Sequence, residues 1–195
     1  KIDPADAEGN DTIGGSGVVV VGDVLVADSI QDDDKGSDSG SVYVYSRVNS
    51  TWILQQKLNA FDGSSNDKFG FRIGFDGNTI AVAARWDDDK GADSGSVYLY
   101  ESSGANWTFL QKLTADDGVA GDYFGQAVSV AGDIVVVGAS EDDDKGSNSG
   151  SVYIYASEQG SYVLQQKLSA SDGKAGDRFG ASLAVLPHQI VVGAP

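Results

Sequence analysis

The chain has no cysteine and no methionine, one histidine, three prolines, and 13 basic residues set against 29 acidic ones. Without cysteine there is no disulfide framework, no thiolate metal site and no thiol nucleophile, although this leaves the compartment open. The single histidine, His188, sits in a turn with no nucleophilic partner in sequence reach. A formal net charge of −16 argues against nucleic acid and anionic lipid, both of which need a basic footprint. Cations and basic partners remain compatible with it. No apolar run approaches the roughly 20 residues of a membrane helix, and no charged and apolar leader opens the chain. It begins at Lys1 in mid-repeat and reads as a mature or excised portion of a longer polypeptide.

What is present is a repeat of 55 residues. DDDKG begins at Asp32, Asp87 and Asp142; SVYVY, SVYLY and SVYIY begin at Ser41, Ser96 and Ser151; QQKL, LQKL and QQKL begin at Gln55, Leu110 and Gln165. A fixed period of this length marks one supersecondary unit that buries its apolar faces only by stacking on its neighbours. In the clearest copy, Phe124 to Val130 alternates, Gly132-Asp133 turns the chain, and Ile134 to Ala139 is apolar on both faces. A strand of that kind lies between two packed sheets. Ser151 to Tyr155 and Tyr162 to Leu168 supply a third and a fourth strand. Four short antiparallel strands per period, with no helical periodicity, predict an all-β fold, a β-propeller of four-stranded blades. Three complete blades fall at about 14–58, 69–113 and 124–168, with part of a fourth at 179–195. The first copy has drifted, with Ile13-Gly14 where the others have Phe-Gly, and Pro187-His188 replaces a glycine-containing turn.

Phe179-Gly180 opening the first strand and Gly193-Ala194-Pro195 after the second resemble the FG-GAP repeat, with Phe69-Gly70 and Phe124-Gly125 as further copies. The resemblance covers essentially the whole chain. It implies the seven-bladed propeller of integrin α subunits and many extracellular proteins, so the chain is expected to form an arc of such a ring. Integrin-type repeats carry a calcium loop between first and second strands. Here those connections are Val21-Gly22-Asp23, Asp76-Gly77-Asn78, Ala131-Gly132-Asp133 and Leu186-Pro187-His188, too short to encircle a metal. The chain is therefore similar to a shorter FG-GAP variant, found in surface proteins of microbes, whose acidic run comes after the second strand.

Those acidic loops offer two readings. Calcium takes about six to eight oxygens, often from alternating positions of a tight loop. Asp32, Asp34 and Asp38, then Asp87, Asp89 and Asp93, then Asp142, Asp144 and Asn148 have that spacing, which makes calcium a candidate cofactor. The alternative is a solvated loop whose Asp side chains cap backbone amides as Asx-turns. The linkers between blades share the same rim and are acidic too, so charge gathers on one face. The paired tyrosines of each third strand read as inter-blade packing, with a sugar-stacking surface as the alternative. Trp52 and Trp107 are equivalent and fit an outer strand, whereas Trp86 has no equivalent and is the candidate ligand contact. Asn10, Asn49 and Asn106 fit the glycosylation acceptor pattern, which matters for a secreted eukaryotic protein.

Function is less determined than fold. The expected role is a non-catalytic extracellular or cell-surface adhesion or assembly module, binding cations or protein partners through its acidic face. The missing strands are expected from flanking repeats or, alternatively, from another copy. A propeller lectin binding glycans and an accessory domain of a secreted hydrolase are the other classes. Catalysis by paired carboxylates is disfavoured because the acids recur in every copy, as structural or metal-binding groups do.

Overall fold

The computed structural model describes residues 11–104, 106–186 and 189–195. Three four-stranded antiparallel sheets succeed one another along the chain. The first holds β1 (Val18–Val21), β2 (Val24–Ser29), β3 (Ser41–Val48) and β4 (Thr51–Leu58). The second holds β5 (Arg72–Phe75), β6 (Thr79–Ala84), β7 (Ser96–Ser102) and β8 (Trp107–Leu113). In the third are β9 (Phe124–Ala131), β10 (Ile134–Ala139), β11 (Ser151–Glu158) and β12 (Ser161–Leu168), and a two-stranded sheet pairs β13 (Ser182–Leu186) with β14 (Gln189–Gly193). No helix occurs among the described residues. Every sheet runs in sequence order and the first strands β1, β5, β9 and β13 pack in succession, the arrangement of an arc of propeller blades. Asn10, Lys1-Ile2, Pro187 and His188 lie outside the described residues.

The SVYVY run explains how blades stack. Successive side chains point to opposite faces, so each third strand presents valine, leucine or isoleucine forward and tyrosine backward. Val42, Val44 and Leu58 of the first blade pack on Ile80, Val82, Tyr98 and Tyr100 of the second. Val97, Leu99 and Leu113 of the second then pack on Val135, Val137, Tyr153 and Tyr155 of the third. The second strands are accordingly buried on both faces: β6 throughout, and β10 from Val135, with Ile134 at the hairpin only half-buried.

Each Phe-Gly pair seats a blade. Phe69 is fully buried, with ring centroids 5.3 Å from Tyr98 and 6.2 Å from Tyr100. Phe124 repeats this at 5.2 Å from Tyr153 and 6.3 Å from Tyr155. The linker bearing each Phe is stitched by backbone bonds to the acidic loop beside it: Lys68 N–H to Asp38 and Phe69 N–H to Ser39, then Tyr123 N–H to Asp93 and Phe124 N–H to Ser94. That close approach explains the glycine of the Ser-Gly-Ser run. Gly95 has φ of 85°, and a Cβ there would collide with the Phe124 backbone.

Two substitutions test this packing. Gly95→Ala combines a left-handed backbone with a collision against main chain, and is expected to lower stability by more than the ~1 kcal/mol of an ordinary left-handed position. Val136→Asp places a charge at a fully buried site and is expected to cost several kcal/mol. Urea denaturation checks both, and a midpoint unchanged from the native chain would contradict the burial described.

Candidate functional site

The rim carrying the acidic loops holds two constructions, one repeated and one not. The repeated one is a cage around a lysine. In the second blade, Lys112 Nζ lies 2.8 Å from Asp62, 3.0 Å from Asp87 and 2.6 Å from Asp89. The Tyr98 hydroxyl donates to Asp62 at 2.8 Å and contacts Asp87 at 2.9 Å. In the third, Lys167 Nζ lies 2.7 Å from Asp117, 2.9 Å from Asp142 and 2.7 Å from Asp144, with Tyr153 on Asp117 and Asp142. In the first, Lys57 bridges Asp32 and Asp34 at 2.8 and 2.7 Å beside the Tyr43 hydroxyl.

Each repeated letter has a place in this cage. A bulge in the outer strand falls at Gln55, Leu110 and Gln165, where register shifts against β3, β7 and β11. A bulge turns the next side chains of its strand in a new direction. Gln56 then exchanges both amide bonds with Trp107 of the next blade, at 2.9 and 2.8 Å, and Gln111 does the same with Tyr162 at 2.9 and 2.7 Å. The lysine after it enters the cage, and the leucine after that enters the core in the first two blades. In DDDKG the first Asp is buried within the cage, the third lies on its rim, and the second accepts the N–H of Asp38, Asp93 or Asn148. Asp38, Asp93 and Asn148 thus hold the loop turn, at φ of 54–57°, and the cage takes its third carboxylate from the linker, Asp62 or Asp117.

The charge state is set by these contacts. Burial alone would raise the Asp62 and Asp117 carboxyls, but the lysine ammonium and the tyrosine hydroxyl outweigh it and hold both below the usual carboxylate range. Asp32 is lowered likewise, against burial, by Lys57 and Ser41. Burial opposes charge on Lys112 and Lys167 too, and the surrounding carboxylates reverse this, raising both. Burial drives the Tyr98 and Tyr153 hydroxyls upward, with the neighbouring Asp87 and Asp142 adding to it. Asp67 differs. It is 5 % exposed, accepts one backbone bond from Ser64 at 2.7 Å, and is pushed up to about 6 by burial, with Asp87 and Asp88 adding to the shift.

Carboxylate oxygens of Asp117, Asp142 and Asp144 lie within 4.8 Å of one another, a donor set that could hold a metal ion. Lys167 Nζ already contacts all three, so a divalent ion would have to displace an ammonium from the same oxygens.

The second construction occurs once. Where β5 and β9 begin, the Arg85 guanidinium lies 4.0 Å from the Trp86 ring centroid, 4.5 Å from Tyr123 and 4.6 Å from Phe71. Arg72 lies over Phe71 at 4.2 Å and Lys68 over Trp86 at 5.3 Å. Arg85 donates to Gln126, and its Nε is enclosed without a hydrogen-bond partner. Among the described residues, no carboxylate lies within ion-pair distance of Lys68, Arg72 or Arg85. Trp86, singled out in the sequence for having no equivalent, is half-buried at the centre of this group. Phe71, Arg72, Arg85 and Tyr123 escaped that reading, since only their departure from the repeat marks them. Asn49 and Asn106 are exposed near the β3–β4 and β7–β8 turns, at the opposite end of the blades.

Fold and site together define a β-propeller whose repeated motifs lock blade to blade. Residues 52–100, 107–155 and 162–195 match the FG-GAP repeat family profile, and the chain belongs to the FG-GAP repeat family. Each matched unit begins at an outer strand and ends in the third strand of the next blade, or, for the last, at Pro195. An FG-GAP propeller is a protein-binding or structural module. Among solved structures, a europium-containing methanol dehydrogenase is similar over 85 % of this chain and 27 % of its own, at 15 % identity and a TM-score of 0.52, a likeness of fold. The Saccharomyces cerevisiae protein Sqt1 is similar over 79 % of this chain and 34 % of its own, at 14 % identity and a TM-score of 0.48. The chain thus spans about a third or less of either structure. No curated protein sequence matches it.

The carboxylates generate two predictions. Lys167→Met is expected to uncover the three-carboxylate set, so that millimolar calcium raises the melting temperature of the variant and leaves the native chain unmoved; equal shifts in both would contradict the lysine-filled cage. For pH, Asp67 has a raised folded pKa and binds more protons folded than unfolded, so its contribution falls as pH rises through about 4 to 6. Asp32, Asp62 and Asp117 have lowered ones, so their contribution is present above the ordinary carboxylate pKa and is lost as pH drops below it. Thermal stability should therefore peak near pH 4, where the two opposing slopes meet. Asp67→Asn should raise stability at pH 7.5 by on the order of 1 kcal/mol and leave it unchanged at pH 4, and equal effects at both pH values would contradict the assignment.

Proposed function

We propose that the chain is a non-catalytic extracellular or cell-surface adhesion and assembly module, an arc of a seven-bladed ring completed by further repeats. Its contact surface is the mouth formed by Lys68, Arg72, Arg85 and Trp86. The observation that carries this reading is the contrast between the two constructions on one rim. The recurring carboxylates are consumed by lysines, tyrosines and backbone amides, whereas the cluster present once leaves three cations without carboxylate partners in a chain of net charge −16. Cationic and aromatic groups held together are the composition of interface anchors. The carboxylates of the cages serve cohesion rather than acid–base chemistry, which supports the non-catalytic assignment. Calcium enters this reading only as a competitor of the cage lysine. Asn49 and Asn106, exposed at the far end, are compatible with glycosylation.

Glycan binding is the second reading. A cleft of about 130 Å³ between the second and third blades is lined by Asp76, Asn78, Glu101, Asp133 and Tyr162, groups able to bond sugar hydroxyls.

The test is a binding panel of extracellular-matrix proteins and a glycan array, run with the native chain and Trp86→Ala, alongside turnover assays on glycosides and phosphoesters. The expected result is saturable binding to a protein, weakened at least tenfold in Trp86→Ala at a temperature where the variant remains fully folded, since loss of the Arg85, Phe71 and Tyr123 contacts lowers its melting temperature. Protein binding indifferent to Trp86, or turnover of any substrate, would contradict the reading.

A further inference from the structure

The 55-residue period allows the two inter-blade grooves on the outer side to be compared position by position. Between the first and second blades, Phe61 stands 5.0 Å from Phe109 and 6.1 Å from Tyr98, centroid to centroid, and Phe109 stands 5.9 Å from Tyr100. All of these contacts are edge-on, the favoured geometry of aromatic pairs. Between the second and third blades the tyrosine is kept as Tyr155, but Phe61 is replaced by Asp116 and Phe109 by Leu164. Two rings are missing, and a groove of about 290 Å³ remains, lined by Leu113, Asp116, Tyr155, Tyr162, Val163 and Leu164 among others. Tyr155 and Tyr162 are buried at its floor, while Val163 is 44 % exposed. An apolar cavity of roughly 150 Å³ suffices for benzene, so the groove has room for one aromatic side chain and its flanking backbone.

We propose that this groove receives an aromatic side chain from a basic segment of a protein partner. Resting on the protein-binding reading above, it adds a second contact, on the outer side of the blades rather than at the mouth. The equivalent position suggests the occupant: Phe61, 62 % exposed, lies edge-on over Phe109 and supplies in cis the ring that is wanting beside Leu164. The flanking charge comes from the replacement itself. Asp116 is exposed where Phe61 stood and lies outside the cages, whereas Asp117 is held by Lys167 and the lining Lys112 by its own three carboxylates, so Asp116 is the charge that attracts a cationic segment. A lysine or arginine beside the ring therefore meets a carboxylate at the groove mouth, whereas an acidic segment is repelled.

The experiment titrates the native chain with acetyl-Lys-Phe-Lys-amide and with acetyl-Lys-Ala-Lys-amide, tracking backbone amide shifts by NMR. The Phe peptide is expected to move Leu113, Val163 and Leu164, and the Ala peptide to leave them in place. Asp116→Phe installs the missing ring and should weaken the response at least tenfold; Leu164→Phe, which fills the groove from the other side, provides the same test should Asp116→Phe fail to fold. Phe61→Asp should open the first groove and add a second set of shifts around Thr108 and Phe109. Equal responses to both peptides, a filled variant that still binds, or self-association of the chain through this groove would overturn the proposal. No peptide response in the native chain also overturns it, whatever Trp86→Ala does to binding at the mouth, so the two readings fail separately.

Discussion

A lysine held by buried carboxylates is the interaction on which the rest of the structure depends. A carboxylate as enclosed as Asp87, 3 % exposed, or Asp142, likewise 3 %, is costly unless a counter-charge and hydrogen bonds accompany it. Lys112 and Lys167 meet that requirement from the outer strand of the same blade, while the third carboxylate, Asp62 or Asp117, arrives on the linker from the blade before. One ammonium thus joins three segments: acidic loop, outer strand and incoming linker. The tyrosine hydroxyl on the same oxygens ties in the third strand as well.

The cage also sets the division of labour along the rim. Because the second and third blades spend their cage carboxylates on the same contacts, and the first repeats the Asp32 and Asp34 pair on Lys57, the acidic rim is less a ligand-binding field than a stack of neutralised locks. The glutamine exchanges between outer strands and the Phe-Gly seats repeat with the same period, so the first blade is fixed to the second, and the second to the third, at outer edge, rim and core. Variation is then tolerated only where no lock is involved. The Arg85 and Trp86 mouth and the groove at Asp116 and Leu164 are such places, and both lie in segments where one repeat departs from its neighbours.

The fold was legible because its signal is periodic. The two-sided apolar strand at Val135 to Ala139, the alternation of SVYIY and the short Gly132-Asp133 turn each specify a strand or hairpin from local pattern alone, and the period multiplies them. The acidic loops were only partly legible. Alternating spacing grouped Asp32 and Asp34 with Asp38, Asp87 and Asp89 with Asp93, and Asp142 and Asp144 with Asn148, but it does not say that in each loop a left-handed turn binds the last residue's N–H to the second Asp. Nor does spacing reveal a ligand from elsewhere in the chain. Lys112 comes 25 residues after Asp87 and Asp62 comes 25 before it, and a lysine that fills the place of a cation looks, in sequence, like any surface lysine. The mouth was legible in Trp86 alone, since its partners converge from β5, the β6–β7 loop and the linker before β9.

The most direct measurement is a double-mutant cycle on Lys112 and Asp87 by urea denaturation, using Lys112→Met, Asp87→Asn and the pair. If the lysine–carboxylate cage holds the blade, Lys112→Met leaves the buried Asp87 carboxylate without its counter-charge, whereas Asp87→Asn leaves Lys112 with Asp62 and Asp89; the two changes are coupled by about 1 to 3 kcal/mol, with the double variant less destabilised than the sum. Additivity within about 0.3 kcal/mol, or single variants as stable as the native chain, would contradict it.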